Sequence, residues 1–393
     1  NALLIAADQS VILPADDPSW HETSFHRPAE LFLWEIGNDV AHIMFLARIQ
    51  TVWLGLLLVA LAGRWAAELV SGDFWREQGE RASDVRAAAA MLAIVLTAFD
   101  PNLLAHMRLA TTDFGLTAMA AFAGYSVWKL ARRPSWQSAA LAGLAVGLLL
   151  NTKFTALLFI PFMGFVLVVG LVSQLRANST SGASQARGLI IPYFLIFPVC
   201  ALVVLWAGTG FDIASVPEAV PVLGGARLPL ANYLDQLLDI GGRLQVDTPA
   251  FMLGHFRTTG WWYYFPVAFL LKTPLPTLAL LLAAFGTTGA TLWSRRRGLN
   301  RSYVVDLLGL LLPPAGFFAI ALTTDINLGY RHILPVLPFL FVFTGAALGK
   351  VVVVVTGRAP HLTSRILSVV AWGIVGLTVA LAIISLRIYP HYL

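Results

Sequence analysis

The stretch Ala87–Trp128, "AAAAMLAIVLTAFDPNLLAHMRLATTDFGLTAMAAFAGYSVW", decides the fold class. Two apolar runs flank a short polar junction that contains His106, Arg108 and Asp113. Each run approaches the roughly 20 apolar residues that a helix needs to cross the hydrocarbon core of a bilayer. The stretch therefore predicts two membrane helices joined by a polar turn.

The composition extends this prediction to the whole chain. Of the 393 residues, 58% are hydrophobic and 12% are charged, and the mean hydropathy is +0.75. A soluble domain carries about 25% charged residues, so a soluble domain is excluded. We predict an all-α polytopic membrane protein with about ten transmembrane helices. The spans are expected at roughly 44–68, 87–103, 111–131, 138–151, 154–173, 188–208, 273–293, 303–322, 333–355 and 366–387.

The distribution of Lys and Arg sets the predicted orientation, because basic residues concentrate in inner loops. With residues 1–43 outside, the inner segments hold most of the basic residues, and Arg295–Arg297 is the simplest stop signal. The net charge of +5 then reflects topology rather than nucleic-acid binding. The predicted divisions are an outer loop at 1–43, an N-terminal membrane core at 44–208, a second outer loop at 209–272 and C-terminal helices at 273–393.

Three local features complete the outline. The single cysteine, Cys200, excludes an intrachain disulfide and a cysteine-based metal site. Residues 228–242, "LPLANYLDQLLDIGG", predict a short amphipathic helix that lies on the membrane. The first residues, "NALLIAADQS", read as the middle of a longer segment, so we expect further residues upstream of them.

Polar residues collect at the predicted outer junctions, where charged groups at membrane depth usually line a cavity or pair with each other. Asp113 is the only carboxylate between Asp100 and Asp212. A carboxylate, lysines and arginines at one depth suit a lipid phosphate, with the cations neutralising it and the carboxylate handling a proton or a metal ion. The residues at these junctions are His106, Arg108, Asp113, Asn151, Thr152, Lys153, Lys272, Asp325, Asn327, Arg331 and His332.

Simpler interpretations exist for each residue alone. Asp113 follows "TT" at the start of a helical run, so it could be a helix N-cap. Lys153 and Lys272 could extend to the membrane interface, and Arg331 could anchor at the headgroups. His106 has no second histidine three or four residues away, which favours a structural role over metal binding.

The stretch 254–276, "GHFRTTGWWYYFPVAFLLKTPLP", is the second informative segment. Its four consecutive aromatic residues are typical of an interfacial belt. Aromatic rings also stack on sugars, and this belt lies on the same predicted side as the charges. The candidate acceptor or sugar contacts are His106, His255, Trp261, Trp262, Tyr263 and His332.

Four motifs together resemble bacterial phospholipid-carrier-dependent glycosyltransferases of the protein O-mannosyltransferase and aminoarabinose-transferase type, within the GT-C superfamily. They are "AFDPNLLAHMRLATTDFG" (98–115), "LAGLAVGLLLNTKFTALLFIP" (141–161), "GWWYYFPVAFLLKTPLP" (260–276) and "NLGYRHILPVLPFLF" (327–341). The resemblance runs from about residue 13 to residue 345.

The resemblance implies a GT-C-like helical bundle in the plasma membrane, the bacterial inner membrane, with a cavity on its outward face. It implies a polyprenyl-phosphate sugar donor, an acceptor protein, lipid or glycan, and inversion at the anomeric carbon. The second of two family acids corresponds to Asp113, which would act in catalysis or hold Mg²⁺ or Mn²⁺. The basic residues of "TKF" and "GYR" correspond to Lys153 and Arg331, which would bind the donor phosphate together with Arg108 or Lys272.

One departure concerns the family's first acid, which precedes an "HPP"-like stretch that this sequence lacks. Asp16 and Asp17 lie in the later part of the corresponding loop, so neither is assigned as the base. The resemblance therefore leads us to expect that acid, and the first helix of the bundle, upstream of Asn1. If the native chain lacks it, the alternative is an accessory subunit of a larger membrane complex with a glycosyltransferase-like fold. A lipid or small-molecule transporter is the third hypothesis, although no inverted repeat is detected.

Overall fold

The computed structural model describes residues 10–21, 26–70, 82–177, 188, 190–218, 220, 224–243, 249–294, 301–327, 329–356, 362–389 and 391–392. These residues are mostly helical, which confirms the predicted fold class. The Arg295–Arg297 triplet lies outside the described residues, as do residues 1–9.

Fourteen α-helices are present in the described part of the chain. Short 3₁₀ or π segments at Pro18–His21, Leu31–Glu35, Phe154–Phe159, Pro192–Ile196, Tyr330–His332 and Leu334–Val336 precede or extend several of them. The helices are α1 (His26–Glu30), α2 (Val40–Val70), α3 (Ala82–Ala98), α4 (Pro101–Met107), α5 (Thr112–Arg132), α6 (Trp136–Leu150), α7 (Ile160–Ala177), α8 (Phe197–Gly208), α9 (Ala231–Arg243), α10 (Tyr264–Lys272), α11 (Leu275–Ser294), α12 (Arg301–Ala321), α13 (Leu337–Thr356) and α14 (Leu362–Ile388).

Nine of the ten predicted spans each overlap one of these helices, and the span predicted at 87–103 overlaps both α3 and α4. Six helical segments are long and apolar enough to cross a membrane: Val40–Val70, Phe154–Arg176, Leu275–Ser294, Arg301–Ala321, Leu334–Val353 and Val369–Ile388. A seventh is added if α3 and α4, which meet at an angle of 59°, form one broken span. The count of ten spans therefore stays a prediction.

The predicted second outer loop folds into small elements. Strands β1 (Ile213–Ser215) and β2 (Arg227–Pro229) pair antiparallel, with Ala214 opposite Leu228. Strands β3 (Ala250–Met252) and β4 (His255–Arg257) form a second antiparallel pair. Helix α9 lies between the two pairs at 231–243, within three residues of the helix expected at 228–242.

Helices α5 and α13 form the centre of the bundle. Most residues of α5 are buried on all sides, including Ser126 and Thr117. Neighbouring helices rather than lipid surround α5. This explains why a helix inside the bundle can contain small and polar residues. Helix α5 packs against α6, α7 and α12, and α13 packs against α2 and α3.

Small residues bring α13 and α3 into close contact. A Cβ atom on Gly345 would lie 2.6 Å from the carbonyl oxygen of Ala89, and one on Gly349 would lie 2.7 Å from the Ala89 nitrogen. Glycines four residues apart let membrane helices approach closely and gain dispersion energy. Gly143 and Gly147 of α6 make the same kind of approach to α8.

An ion pair fastens the far end of α5 to α12. Asp306 is 2% exposed and accepts a hydrogen bond of 2.8 Å from Trp128 Nε1. Arg132 Nε lies 3.2 Å from Asp306 Oδ1. Charges buried among helices are stable when they are paired and hydrogen-bonded, so this contact fixes α5 relative to α12.

Candidate functional site

A carboxylate held between two cations forms the centre of the candidate site. Lys153 Nζ lies 2.8 Å from Asp113 Oδ1, and Arg331 Nε lies 3.9 Å from Asp113 Oδ2. Asp113 is 6% exposed, whereas Lys153 is partly exposed and Arg331 is exposed. Three residues from three of the four motifs therefore meet. Two positive charges on one carboxylate leave the site with a net charge of +1.

The start of α5 places Asp113. Thr111 is the N-cap residue of α5, with extended backbone, and Asp113 lies in the first turn of the helix. The N-cap interpretation of Asp113 is therefore wrong. The carboxylate contacts Lys153 from another segment instead, while the helix N-terminus still favours its negative charge.

The end of α6 places Lys153. Asn151 terminates α6, and its Nδ2 donates to the carbonyl oxygens of Gly147 at 3.0 Å and Val204 at 3.1 Å. The chain then becomes extended at Lys153, with φ of −165°, before a 3₁₀ turn begins at Phe154. The polar interruption "NTK" thus ends one helix and directs the lysine toward α5.

Arg331 lies in a 3₁₀ turn that follows Gly329. Gly329 has φ of +107°, a conformation that favours glycine. Tyr330, in the same turn, is buried, and its hydroxyl lies 2.9 Å from Thr273 Oγ1. Its ring stacks on Phe269. Tyr330 anchors the turn, and sequence reasoning missed this role although the "GYR" motif contained the residue.

His332 lies beside the charged centre but stays neutral. The pKa of His332 falls from 6.5 to about 4, mainly because the ring is buried and secondly because Lys153 carries a positive charge nearby. Asp113 acts in the opposite direction with a smaller effect. The ring also lies near Phe265, with centroids 6.3 Å apart. His332 is therefore suited to neutral hydrogen bonding rather than to phosphate binding.

The other predicted cations are placed differently. The side chains of Arg108 and Lys272 are exposed, and neither makes an ion pair with the described residues. The carbonyl oxygen of Lys272 accepts a hydrogen bond of 3.1 Å from Asn102 Nδ2, which joins α10 to α4. His106 Nδ1 lies 2.9 Å from the carbonyl oxygen of Asn102 within α4. Donor binding by Arg108 or Lys272 stays a prediction.

The aromatic segment is divided between interior and surface. Trp261 is buried, its backbone N–H donates to Asn327 Oδ1 at 2.7 Å, and Arg257 lies 5.4 Å from the centre of its ring. Trp262 and Tyr263 are exposed and contact each other edge to face. His255 is exposed on β4. The segment is therefore anchored by Trp261 and presents Trp262 and Tyr263.

Binding of Mg²⁺ or Mn²⁺ at Asp113 stays a prediction. No group of three or more His, Cys, Asp or Glu side chains suited to a metal occurs in the described part of the chain. At the site, both oxygens of Asp113 face cationic partners, Lys153 and Arg331. Mg²⁺ and Mn²⁺ bind oxygen ligands, and two cations already compete for these.

An apolar groove of about 610 Å³ is connected to the turn that holds Arg331 through Phe269. Phe269 lines the groove and stacks on Tyr330, and the lining residues Val336 and Leu340 follow Arg331 in the chain. The rest of its lining comes from α10, α11 and α12, namely Leu270, Leu278, Leu281, Leu282, Phe285, Leu311, Pro314, Ala315 and Phe318. A hydrocarbon chain is the chemistry that such a surface accepts.

Comparisons with known proteins agree with the resemblance in the sequence. Residues 78–213 match the family model described as dolichyl-phosphate-mannose-protein mannosyltransferase. This match confirms the resemblance over the part of the chain that contains Asp113 and Lys153. No curated protein sequence matches the chain.

Two solved structures are similar to the chain. One is ArnT from Cupriavidus metallidurans bound to undecaprenyl phosphate, with 17% identity, a TM-score of 0.49, and coverage of 100% of this chain and 66% of that one. The other is the same enzyme in the apo state, with 16% identity, a TM-score of 0.46, and coverage of 93% and 60%. The chain thus spans about two thirds of the length of ArnT or less.

Proposed function

We propose that the protein is a membrane-embedded glycosyltransferase that moves a sugar from a polyprenyl phosphate to an acceptor hydroxyl. The observation that carries this proposal is the pairing of one buried carboxylate, Asp113, with Lys153 and Arg331. The excess positive charge suits a phosphate, and the adjacent apolar groove suits a polyprenyl chain. The family match over residues 78–213 supports the same reaction class.

The donor phosphate would lie against Lys153 and Arg331. Both cations are partly open to solvent or exposed, so an incoming anion can reach them without first breaking up the bundle. Arginine can bind a phosphate through two parallel hydrogen bonds, while lysine contributes a compact charge. The phosphate would take over part of the contact that Asp113 now makes with each cation.

The transfer is a single displacement. The acceptor oxygen bonds to the anomeric carbon as the bond from that carbon to the phosphate oxygen breaks, and the phosphate keeps the electron pair. The acceptor proton passes to a carboxylate base, which the sequence resemblance assigns to the first outer loop. Charge grows on the leaving phosphate, so Lys153 and Arg331 stabilise the transition state more than the ground state. Attack from the opposite face inverts the anomeric centre.

The role of Asp113 would be to position the two cations rather than to neutralise their charge. It orients Lys153 and Arg331 and, once the phosphate arrives, can accept a hydrogen bond from the acceptor. The positive-inside distribution supports a reaction on the outward face of the plasma membrane. The proposed partners are the bilayer, the donor lipid and an acceptor, which is a protein, a lipid or a glycan. Association with further membrane subunits is also proposed.

A transfer assay in proteoliposomes tests the proposal. The full-length protein is supplied with polyprenyl-phosphate sugars extracted from its own source membranes, and sugar transfer and free polyprenyl phosphate are followed. Lys153→Ala and Arg331→Ala should lower turnover by about 100-fold or more. Arg301→Ala, which removes an exposed arginine at the start of α12, is the matched control and should keep the wild-type rate. Wild-type rates in the two site variants would refute the assignment.

The accessory-subunit alternative has one observation in its favour. Asp113 is the single carboxylate that pairs with Lys153 or Arg331 among the described residues, so no second acid is visible at this centre. The same assay separates the two functions. An accessory subunit would retain polyprenyl phosphate without releasing sugar, whereas a transporter would accumulate labelled substrate inside the vesicles without covalent transfer.

A further inference from the structure

A second cavity includes Lys153 in its lining and is lined by several polar residues. It has a volume of about 490 Å³, which lies within the roughly 300–1,000 Å³ of small-molecule sites. The ends of α6 and α8 and the first turns of α9 contribute to its lining. The polar residues on which the argument depends are Asn151, Lys153, Asp212, Asn232, Tyr233 and Gln236.

Asp212 is the unusual member of this lining. Both of its carboxylate oxygens are buried, and neither has a hydrogen-bond partner among the residues that the structure describes. A buried carboxylate oxygen without a donor costs free energy, so such a group requires an explanation. A ligand that brings hydroxyl donors into the cavity would supply the missing partners.

The backbone around Asp212 is held in a strained conformation. Gly210 has φ of +75° and Phe211 has φ of +58°, a region that bulky residues rarely adopt. Trp206 fixes the loop, because its indole donates to the carbonyl oxygen of Asp212 at 2.7 Å and its own carbonyl accepts from the Phe211 N–H at 2.9 Å. Strain of this kind persists where surrounding contacts over-determine it, and it concentrates at ligand sites.

Helix α9 is fixed over the cavity by one aromatic residue. The ring of Tyr233 packs on Phe154 with centroids 5.0 Å apart, and its hydroxyl donates to the carbonyl oxygen of Leu150 at 3.4 Å. This contact brings the amides of Asn232 and Gln236 to the wall of the cavity. Amides donate and accept, and a carboxylate accepts, so the lining matches a ligand with several hydroxyl groups.

Charge further restricts the ligand. Asp212 disfavours a fully anionic molecule in the cavity, whereas Lys153 at its edge favours a negative charge at one end. A neutral, polyhydroxylated ring with a phosphate at one end satisfies both conditions.

We propose that this cavity binds the monosaccharide ring and that Asp212 accepts hydrogen bonds from its hydroxyl groups. The inference rests on the proposed function in one respect, namely that Lys153 holds the phosphate to which the ring is attached. Asp212 is then a specificity-determining residue on the sugar side of the phosphate.

Binding of phosphate-free sugars tests the cavity directly. The full-length protein in detergent micelles is titrated with methyl glycosides of mannose, glucose, galactose and 4-amino-4-deoxyarabinose, and saturation-transfer NMR reports binding. At least one glycoside should bind, and Asp212→Asn should weaken that binding about tenfold because an amide replaces the charged acceptor. Gln236→Ala should weaken it as well, without changing any contact that holds α9.

Asp235→Asn is the matched control, because Asp235 is an exposed carboxylate on α9 that does not line the cavity. It should bind glycosides as the wild type does. The inference is overturned if no glycoside binds the wild type, or if Asp212→Asn binds as tightly as Asp235→Asn.

Binding of bare undecaprenyl phosphate, measured on the same samples, separates the two proposals. Asp212→Asn should keep that affinity, since the lipid carries no sugar. If undecaprenyl phosphate fails to bind while a glycoside still binds through Asp212, the proposed donor is wrong and the sugar cavity stands. If undecaprenyl phosphate binds but glycoside affinity is unchanged in Asp212→Asn, the cavity assignment is wrong and the proposed donor is supported.

Discussion

Lys153 Nζ lies 2.8 Å from Asp113 Oδ1, which joins the residue after α6 to the first turn of α5. Arg331 approaches the other oxygen of the same carboxylate at 3.9 Å. The ion pair is stable. Because one carboxylate cannot neutralise two cations, the three residues together still attract an anion. The account of function depends on this arrangement.

Replacing Asp113 by Asn should separate binding from turnover. The substitution removes the charge that competes with an incoming phosphate, so affinity for undecaprenyl phosphate should stay equal or increase. Turnover should fall by about 100-fold, because the acceptor and both cations lose their shared partner. Equilibrium binding and a transfer assay on the same preparation measure the two effects.

Loss of undecaprenyl phosphate binding in Asp113→Asn would contradict this role. That result would mean that the carboxylate keeps the cations in place and that they collapse or turn away without it. Asp235→Asn, which removes an exposed carboxylate of α9, controls for a general change in charge.

The sequence predicted the charged centre because chemistry and topology agreed there. Asp113, Lys153 and Arg331 each end or begin a helix on the same predicted side, so three motifs had to converge. Arg108 and Lys272 satisfied the same criteria, but position along the chain does not determine the direction of a side chain. The cavity around Asp212 gave no such signal, because its formation depends on a strained loop and on how α9 packs over α6.

The fold, like the site, was predicted from the sequence only in part. Apolar runs predicted where helices lie, since each run must satisfy its backbone polar groups in lipid. They did not predict that α5 would be enclosed by its neighbours, because small residues such as Ala120 and Ala123 are equally compatible with a lipid-facing helix. Only the packing partners decide between the two environments.

The contact between α5 and α12 should make a large contribution to stability. Replacing Asp306 by Asn leaves Arg132 without its buried partner, which should cost about 3–5 kcal/mol of unfolding free energy. Glu35→Gln breaks the exposed ion pair with Arg27 and should lower stability far less, because solvent screens both charges. Denaturant unfolding in one detergent compares the two variants, and equal losses would show that burial does not govern these pairs.

Close packing of α13 against α3 predicts a strong effect at Gly349. An added methyl group would meet the backbone of Ala89 at 2.7 Å, so Gly349→Ala should force the helices apart and destabilise the protein by about 1–3 kcal/mol. In Gly376→Ala on α14 the added Cβ meets no atom of the described residues within 4 Å, so the melting temperature should stay unchanged or rise slightly. A variant Gly349→Ala as stable as wild type would show that these helices are not locked together.

His332 should make stability depend on pH. Burial lowers its pKa in the folded protein to about 4 from 6.5, so the unfolded chain binds the extra proton between these values. Stability should therefore be present above about pH 6.5 and fall as the pH drops toward 4, by about 1–3 kcal/mol. His332→Gln should remove this part of the pH dependence. An unchanged pH profile of thermal unfolding in His332→Gln would assign the effect to other groups.

The most direct test of the central claim is the affinity of purified full-length protein for undecaprenyl phosphate, measured by titration in micelles. The account predicts saturable binding to the wild type that weakens at least about tenfold in Lys153→Gln and in Arg331→Gln, because each removes one cation from the phosphate. Arg301→Gln should bind as the wild type does. Equal affinity in all four proteins would show that the lipid phosphate does not bind at this charged centre.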